Sequence, residues 1–475
     1  MNQPAAYRDR QVIVLGMARS GVSVAKLFHK AGANVIVNDK KERELCPEAA
    51  ELDALGISVI CGYHPDDLVT EQTALLIKNP GIPYSALPVV QAEALGIPVI
   101  TEVEAAYWIS PAPIIGITGS NGKTTTTTIV GELLQAAGLS PIVAGNIGRP
   151  LCEAAVEANE RQWVVAELSS FQLKGTKQFR PSIGALLNLA ETHLDYHGGM
   201  DDYAASKAKL FANQTSGDVA VWNWDDELCR QLTAGLPSRA LPFSLYSVLE
   251  QGVYVDPPFL KGEQSDKEHF IVYRCASKQE EPFVLMPTSE LGLPGRHNVA
   301  NALAAIATCI AAGAEPAQLA EPLRVFKGVE HRLEYVREYN GVKFYNDSKA
   351  TNPMATMMSV SSLQEPIVLI AGGLDRGSDY MELMPLFRDR LKGLVVLGET
   401  GEKLAAVAKQ AGLTKVEIVE PVEDAEAVLR QATLQAAALA EPGDAVLLSP
   451  ACASWDMFDS FEQRGSIFKK SAHTL

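Results

Sequence analysis

The chain has 475 residues, of which 47% are hydrophobic, and a formal net charge of −16 at pH 7. This length exceeds what one hydrophobic core can organise and predicts about two to four domains, while the composition excludes a disordered chain. The acidic balance argues against nucleic acid as a partner, because a phosphate backbone requires a basic surface. If the ligands are anionic nucleotides, helix N-termini, single cationic side chains and bound Mg²⁺ must supply positive potential locally.

The sequence shows no pattern typical of a membrane span, a secretory signal, or a disulfide or zinc-binding framework. No segment approaches the roughly 18 uncharged apolar residues that span a bilayer, and the polar start 1–10 lacks the apolar core of a secretory signal. The seven cysteines are scattered, odd in number and form no CxxC pair. Neither a disulfide framework nor a structural zinc site is therefore expected. We expect a cytoplasmic protein without membrane attachment.

Apolar strands alternate with helical patterns along the chain, which predicts an α/β fold of mainly parallel sheets with flanking helices. Strands are predicted at Gln11–Leu15, Asn34–Val37, Ala74–Ile77, Val99–Ile100, Ile114–Ile117, Trp163–Glu167, Ile183–Leu189, Val219–Trp222, Val342–Asn346, Ile367–Ala371, Gly393–Leu397, Val416–Ile418 and Ala445–Leu448. Helices are predicted at Ser23–Lys30, Thr124–Ala137, Asn298–Ala312 and Val422–Ala440. The turn-rich stretch Pro242–Glu280 predicts an antiparallel insertion.

The first glycine-rich turn, Gly16-Met17-Ala18-Arg19-Ser20-Gly21, joins a predicted strand to a predicted helix. Asp39 ends the next strand, which is the layout of a dinucleotide-binding fingerprint. Ala18 stands where a middle glycine would let the backbone approach a diphosphate. A turn without a ligand and a nicotinamide-dependent dehydrogenase both remain open readings of this segment.

The second glycine-rich segment is more specific. A buried strand leads into Thr118-Gly119-Ser120-Asn121-Gly122-Lys123-Thr124-Thr125 and then a helix. Glycines let successive N–H groups curl around phosphate oxygens, Lys123 can reach the β and γ phosphates, and the Thr124 hydroxyl can bind Mg²⁺. Ile117 stands where the usual motif has its first glycine, so this is a shorter variant loop. The alternative is a Gly/Asn turn that binds no ligand. A run of β-branched threonines starts a helix poorly, and such a local conflict between sequence and structure is typical of functional sites.

Together with several further segments, this loop resembles the ATP loop of the Mur ligases, which build the peptide of bacterial cell-wall precursors. The resemblance covers nearly the whole chain in the family's order and is greatest to the members that add D-glutamate. The further matching segments are 167–173 (ELSSFQL), 193–197 (HLDYH), 296–302 (RHNVANA), 331–334 (HRLE), 346–352 (NDSKATN), 449–456 (SPACASWD) and 461–465 (FEQRG).

The resemblance implies three domains: a Rossmann-like domain for a UDP-sugar, a central P-loop ATPase-type domain, and a Rossmann-like C-terminal domain that closes over ATP and binds the amino acid. We place their bounds at 1–106, 107–328 and 329–475. The implied reaction is the ATP-dependent addition of D-glutamate to UDP-N-acetylmuramoyl-L-alanine through an acyl phosphate, with two Mg²⁺ ions. A monomer is expected.

The resemblance also implies site residues, which fall into four groups. The catalytic and metal-binding group is Lys123, Thr124, Glu167, His193 and Lys207, the last carbamylated, with Lys209 as a rival for that position. The ATP group is Gly119, Asn121, Gly122, Lys123, Thr124, Thr125, Asn301 near adenine, Arg332 on phosphate and Asp347 on ribose. The UDP-sugar group is Ser20, Asp39, Gly81, Asn146, Ser169 and Gln172. The D-glutamate group is Lys349, Thr351, Arg376, Ser454 and Phe461.

Two departures and several alternatives remain. Lys40 and Lys41 follow Asp39 where some relatives have Thr-Arg, and Arg376 stands where some relatives have lysine. A sister ligase for another amino acid and folylpolyglutamate synthetase are the nearest rival functions. A dehydrogenase leaves the second glycine-rich loop unexplained, and a non-catalytic nucleotide-binding regulator would not need the metal-binding group.

Overall fold

The computed structural model describes residues 3–191, 194–260, 267–275, 281–293, 295–375, 377–420 and 424–475. It divides the chain into two compact units, Met1–Phe326 and Lys327–Leu475. Within these described residues, the first unit contains three sheets and the second contains one. The three domain bounds predicted from the sequence stay a prediction.

The first sheet of the first unit is parallel, with strand order β3-β2-β1-β4-β5. Its strands are β1 (Gln11–Leu15), β2 (Asn34–Asp39), β3 (Ser58–Cys61), β4 (Thr73–Lys78) and β5 (Val99–Ile100). The strand order reverses between β1 and β4. In open α/β sheets, ligands bind beyond the carboxyl ends of the strands at such a reversal.

The second sheet is also parallel, with order β11-β10-β9-β6-β8-β7. Its strands are β6 (Ile114–Thr118), β7 (Pro141–Gly145), β8 (Trp163–Glu167), β9 (Ile183–Leu186), β10 (Val219–Trp222) and β11 (Arg239–Ala240). Strands β6, β8 and β9 are buried along their whole length or nearly so, which is why they read as continuous apolar runs.

The predicted antiparallel insertion forms a small third sheet of β12 (Phe243–Ser244), β13 (Gly252–Asp256), β14 (Phe270–Arg274) and β15 (Phe283–Pro287). The last three strands pair antiparallel, as predicted, but β12 pairs with β13 in parallel. The sheet also extends past the predicted end at Glu280.

The second unit has one sheet of order β16-β17-β21-β18-β19-β20, parallel except for β16. Its strands are β16 (Glu334–Tyr339), β17 (Val342–Asn346), β18 (Ile367–Gly372), β19 (Leu391–Leu397), β20 (Val416–Ile418) and β21 (Ala445–Leu448). The carboxyl ends of β17, β18 and β21 lie at one edge of this sheet, so the loops that follow them come together.

Helices connect and cover the sheets. In chain order they are α1 (Arg19–Lys30), α2 (Glu48–Ala54), α3 (Leu87–Ala94), α4 (Glu102–Ile109), α5 (Lys123–Ala136), α6 (Leu151–Glu157), α7 (Ser170–Lys174), α8 (Leu194–His197), α9 (Met200–Ala208), α10 (Glu227–Thr233), α11 (Arg296–Ala311), α12 (Ala320–Val325), α13 (Pro353–Ser362), α14 (Met384–Arg390), α15 (Gly401–Gln410), α16 (Ala425–Leu439) and α17 (Phe461–His473). Short 3₁₀ turns lie at Pro4–Tyr7, Arg43–Leu45, Thr288–Glu290, Pro316–Gln318 and Met381–Leu383.

Helix α4 joins the first two sheets into one unit. A single cluster of buried apolar side chains includes Val12 and Val14 of the first sheet, Trp108 of α4 and Val164 of the second sheet. Glu104 of α4 is completely buried and accepts hydrogen bonds from three successive backbone N–H groups at 177–179, at 2.8 to 3.0 Å. A buried carboxylate satisfied in this way fixes α4 against the second sheet.

The predicted strands are all present, although Ile183–Leu189 ends three residues early, at Leu186. In the three mainly parallel sheets, the sequence missed four of the described strands, β3, β7, β11 and β16, and each of them lies at the edge of its sheet. An edge strand is covered on fewer sides than a central strand and needs no long apolar run. The helix predicted from Ser23 begins earlier, at Arg19, and the one predicted from Val422 is α16, with 421–423 outside the described residues.

Candidate active site

The phosphate-loop candidate is the turn between β6 and α5. Gly122 has φ of +80° and is the N-cap of α5, so the first N–H groups of the helix, at Lys123 and Thr124, follow it directly. A Cβ at Gly122 would collide with the side-chain oxygen of Asn301. Only glycine therefore fits, and α5 presents the positive end of its dipole to the loop. Asn301, predicted near adenine, packs behind the loop.

The loop is held by residues that the sequence did not single out. Asn188 follows β9, accepts from Ser120 N–H and Asn121 N–H at 3.0 and 2.8 Å, and donates to the Asn121 carbonyl at 3.1 Å. The Tyr203 and Ser120 hydroxyl groups are 2.8 Å apart. The only available signal was a polar side chain just beyond the carboxyl end of a buried strand.

Two lysines lie at this loop. Lys123 Nζ donates to the carbonyls of Gly119 and Ser120 at 2.8 and 3.0 Å. Lys207 is buried, and its Nζ donates to Thr118 Oγ1 and the Gly119 carbonyl at 3.2 and 2.9 Å. Burial, and then the positive charge of Lys123, hold the pKa of Lys207 well below its ordinary value.

The rival lysine lies elsewhere. Lys209 Nζ donates to the carbonyls of Lys174 and Thr176, away from the phosphate-loop candidate. The structure therefore brings Lys207, and not Lys209, to the loop.

Glu167 ends β8, the strand beside β6, and is buried. Its Oε1 accepts from Asn146 Nδ2 at 2.9 Å, whereas its buried Oε2 has no hydrogen-bond partner among the described residues. A buried carboxylate oxygen without a partner fits a cation ligand, because leaving it bare is costly. Thr124 is also buried, at the start of α5. His193, the remaining predicted metal ligand, lies outside the described residues.

A cavity of about 1080 Å³ opens beyond the carboxyl ends of β1, β2 and β4, where the strand order reverses. Five of the six predicted UDP-sugar residues line it: Ser20, Asp39, Gly81, Asn146 and Gln172. The sixth, Ser169, is the N-cap of α7 and forms a capping box with Gln172, so it orients one of the lining residues. Asp39 accepts from Met17 N–H at 2.8 Å and braces the first glycine-rich turn.

The cavity is lined by cationic and ionisable side chains that offset the acidity of the chain. These are Arg19, Lys40, Lys41, Arg149 and His64, which outnumber the two acidic residues of the lining, Asp39 and Glu102. From the sequence, the two lysines stood out only as a departure from some relatives. No role was assigned to Arg19, which lies in the first glycine-rich turn, or to His64 and Arg149, which come from loops elsewhere in the chain. Such a lining favours an anionic ligand with several charges.

The segment that carries Gly81 is anchored by two further unpredicted residues. Lys78 is completely buried, and its Nζ donates to the Pro80 carbonyl and to the Tyr196 hydroxyl oxygen, each at 3.2 Å. The Tyr196 hydroxyl lies 3.0 Å from the Pro80 carbonyl oxygen and 3.2 Å from that of Ile82. Burial lowers the pKa of Lys78 to about 8.

The second unit gathers predicted residues at the carboxyl ends of β17 and β21. Asp347 is buried and accepts hydrogen bonds from Leu333 N–H at 3.1 Å and from the Ser449 hydroxyl at 2.7 Å. The bond to Leu333 holds the loop that carries the exposed Arg332. Burial raises the pKa of Asp347 to about 6, against the opposing effect of hydrogen bonds from Ser359 and Ser449. Its ribose contact stays a prediction.

The predicted amino-acid residues also meet here. Lys349 Nζ lies 5.6 Å from the centre of the Phe461 ring, at the start of α17. Thr351 is half-buried two residues after Lys349, and Ser454 is buried in the segment between β21 and α17. Arg376 lies outside the described residues.

Comparisons with known proteins show to which family this chain belongs. Models of the Mur ligase MurD-like N-terminal domain, the Mur ligase middle domain and the Mur ligase glutamate ligase domain match residues 10–101, 117–309 and 331–452. The chain is 46% identical over 476 residues to the UDP-N-acetylmuramoylalanine--D-glutamate ligase of Geobacillus sp. (strain WCH70), covering 100% of both chains. The chain belongs to the Mur ligase family. It is also 46% identical over 475 residues to the ligase of the same name from Shouchella clausii (strain KSM-K16), covering 100% of this chain and 99% of that one.

Solved Mur ligase structures share the fold. UDP-N-acetylmuramate-alanine ligase from Thermotoga maritima gives a TM-score of 0.55 at 21% identity, over 98% of this chain and 99% of that chain. The MurF ligase of the same organism, solved in complex with ADP, gives 0.52 at 15% identity, over 99% and 97%. The predicted family, the three-domain α/β fold and the assignment as an ATP-dependent Mur ligase are therefore confirmed.

Two further expectations can be compared with the structure. All seven cysteines fall within the described residues and are free. In the described part of this Mur ligase, no helix is both long and apolar enough to cross a bilayer.

The raised pKa of Asp347 predicts a pH-dependent cost of folding. Between its ordinary pKa of 3.8 and about 6, the folded protein keeps a proton that the unfolded chain has released, so the free energy of unfolding falls as pH rises across this window. Asp347→Asn removes this fall. Its free energy of unfolding relative to the parent protein should therefore rise by roughly 2–3 kcal/mol from pH 4 to pH 7, measured by urea unfolding. Asn in place of the exposed Asp379 is the control, and a flat or falling difference for Asp347→Asn would contradict the prediction.

Proposed function

We propose that this Mur ligase adds D-glutamate to UDP-N-acetylmuramoyl-L-alanine, with ATP cleaved to ADP and phosphate. The observation that carries the proposal is the 2.9 Å hydrogen bond from Asn146, in the wall of the large cavity, to Glu167, beside the phosphate loop. It joins a site for an anionic sugar nucleotide to a site for ATP within one compact unit. The names of the two relatives at 46% identity support the substrate and the amino acid.

The proposed chemistry proceeds in two steps. A carboxylate oxygen of the acceptor attacks the γ-phosphorus of ATP, and ADP leaves, which gives an acyl phosphate. The amine of D-glutamate then attacks the acyl carbon and loses a proton, and phosphate leaves with the oxygen that it received. Transfer between two anions needs charge neutralisation and in-line positioning more than covalent help from the protein.

Lys123, the N–H groups at the start of α5 and the loop glycines would hold the β and γ phosphates. Thr124 and the bare oxygen of Glu167 would hold one Mg²⁺, and His193 with a carbamylated Lys207 would hold a second. Bound Mg²⁺ would neutralise charge on the transferring phosphoryl group. Arg332 and Asp347 are proposed for ATP, and Lys349, Thr351, Arg376, Ser454 and Phe461 for D-glutamate. The proposed substrates are the acceptor, ATP and D-glutamate. We also propose that the protein is a monomer in the cytoplasm.

The direct test is phosphate release by the purified protein. Release should require ATP, Mg²⁺, UDP-N-acetylmuramoyl-L-alanine and D-glutamate together, and Lys123→Met should lower it by at least about 100-fold, because a charge that neutralises the γ-phosphate is lost. Lys177→Met, in a loop away from the ATP site, is the control for loss of a lysine. Faster release with L-alanine, L-lysine or diaminopimelate than with D-glutamate would reject the proposed specificity.

The lowered pKa of Lys207 predicts a carbamate on this residue, since only a neutral amine reacts with CO₂. After equilibration with ¹³C-bicarbonate, the protein should give a carbamate carbon resonance that Lys207→Met abolishes and Lys209→Met keeps. Lowering the pH should weaken the signal, because protonation removes the reactive amine. An unchanged signal in Lys207→Met would place the carbamate on another residue and contradict the prediction.

A further inference from the structure

Arg464 of α17 is a completely buried arginine whose hydrogen bonds all go to neutral oxygens. Its Nε donates to Ser348 Oγ at 3.0 Å, and its Nη2 donates to the carbonyls of Ser348 and Cys452 at 2.9 and 3.2 Å. Nη1 is buried and has no hydrogen-bond partner among the described residues. The side chain is thus a buried cation with no carboxylate in hydrogen-bond contact within the described chain.

Burying a guanidinium in this way is unfavourable. Burial lowers the pKa of Arg464 to about 10, against the opposing charge of Asp456. The group is therefore still charged at pH 7, although no carboxylate among the described residues forms an ion pair with it. An apolar side chain of similar volume would often give equal or greater stability at such a position. Stability alone therefore does not account for an arginine here.

The bonds of Arg464 connect the three segments that carry the proposed amino-acid pocket. Ser348 directly precedes Lys349, and Cys452 lies two residues before Ser454. Ser348 Oγ also donates to the Phe461 carbonyl at 2.8 Å. The planar fork of one guanidinium thus fixes the ends of β17 and β21 and the start of α17 relative to one another.

A fourth segment packs against the same guanidinium. Gly373 follows β18 with φ of +150°, and a Cβ there would come within 3.3 Å of Arg464 Nη1 and would collide with the Ala453 carbonyl. Leu374 N–H donates to that carbonyl at 3.0 Å. Only glycine lets the segment that leads to Arg376 approach this closely.

We propose that Arg464 is a positioning residue for the amino-acid substrate, holding Lys349, Ser454 and Phe461 in one arrangement through Ser348 and Cys452. The inference rests on the proposed function, since it assumes that these three residues form the D-glutamate pocket. Arg464 acts through its neighbours, because its own nitrogen atoms are buried. Small displacements of substrate-binding groups reduce turnover steeply, so the fork geometry should matter more than the charge.

The test compares three variants. Arg464→Lys keeps a cation but loses the fork, and Arg464→Met keeps the length but loses the charge and the hydrogen bonds. Ser348→Ala removes the hydroxyl that accepts from Arg464 Nε and donates to the Phe461 carbonyl. Each should raise KM for D-glutamate, on the order of 10- to 100-fold for the Arg464 variants and less for Ser348→Ala. KM for ATP and for UDP-N-acetylmuramoyl-L-alanine should stay within about twofold. A single-turnover burst of ADP without D-glutamate should keep its amplitude, because the first step does not use the pocket.

Arg337→Met is the matched control. Arg337 also bonds to α17, through the carbonyls of Ala472 and His473 at its other end, at 3.2 and 3.1 Å. Its loss should change the thermal midpoint without changing KM for D-glutamate. Thermal unfolding of every variant separates loss of fold from loss of the pocket.

An unchanged KM for D-glutamate in Arg464→Lys and Ser348→Ala would overturn the inference. An equal rise in all three KM values would also overturn it, since it would indicate a general loss of structure. If Arg464→Met does not fold, the other two variants decide the question by the same criteria. Absence of D-glutamate-dependent turnover in the parent protein would reject the proposed function, and this inference with it, before any substitution is made.

Discussion

An acidic chain that binds anions must concentrate positive potential where the ligands lie, and this constraint organises the molecule. The formal charge is −16, yet one cavity is lined by Arg19, Lys40, Lys41 and Arg149. At the phosphate loop, Lys123 and the positive end of the α5 dipole supply the positive potential. This potential comes from local geometry and does not depend on the net charge of the chain. Both sites use the carboxyl ends of parallel strands, where backbone N–H groups and side chains converge.

Buried ionisable groups mark the chemistry more sharply than exposed ones do. Among the described residues, Glu167 has one buried carboxylate oxygen without a hydrogen-bond partner, and burial lowers the pKa of Lys207. Arg464 is a buried cation whose hydrogen bonds go to neutral oxygens. Each arrangement is unfavourable in isolation, because desolvation of charge is costly. A bound cation, a carbamate and a shaped amino-acid pocket, respectively, would account for them.

The sequence predicted the central strands because a buried parallel strand needs a continuous apolar run, as in β6 and β8. It missed edge strands such as β16, which lack such a run. Lys123 and Thr124 could be predicted because the phosphate loop is a local motif, and Lys207 was assigned by resemblance to a family. The roles of Asn188, Tyr196 and Arg464 depend on partners far away in the chain, and no local pattern indicates such pairings.

The central claim is that ATP activates the acceptor carboxylate as an acyl phosphate before the amide bond forms. Its most direct test is oxygen transfer from UDP-N-acetylmuramoyl-L-alanine labelled with ¹⁸O in both carboxylate oxygens. Mass spectrometry of the released phosphate should find one ¹⁸O atom for each amide formed, with the other retained in the product. Unlabelled phosphate, released together with the D-glutamyl product, would contradict the account.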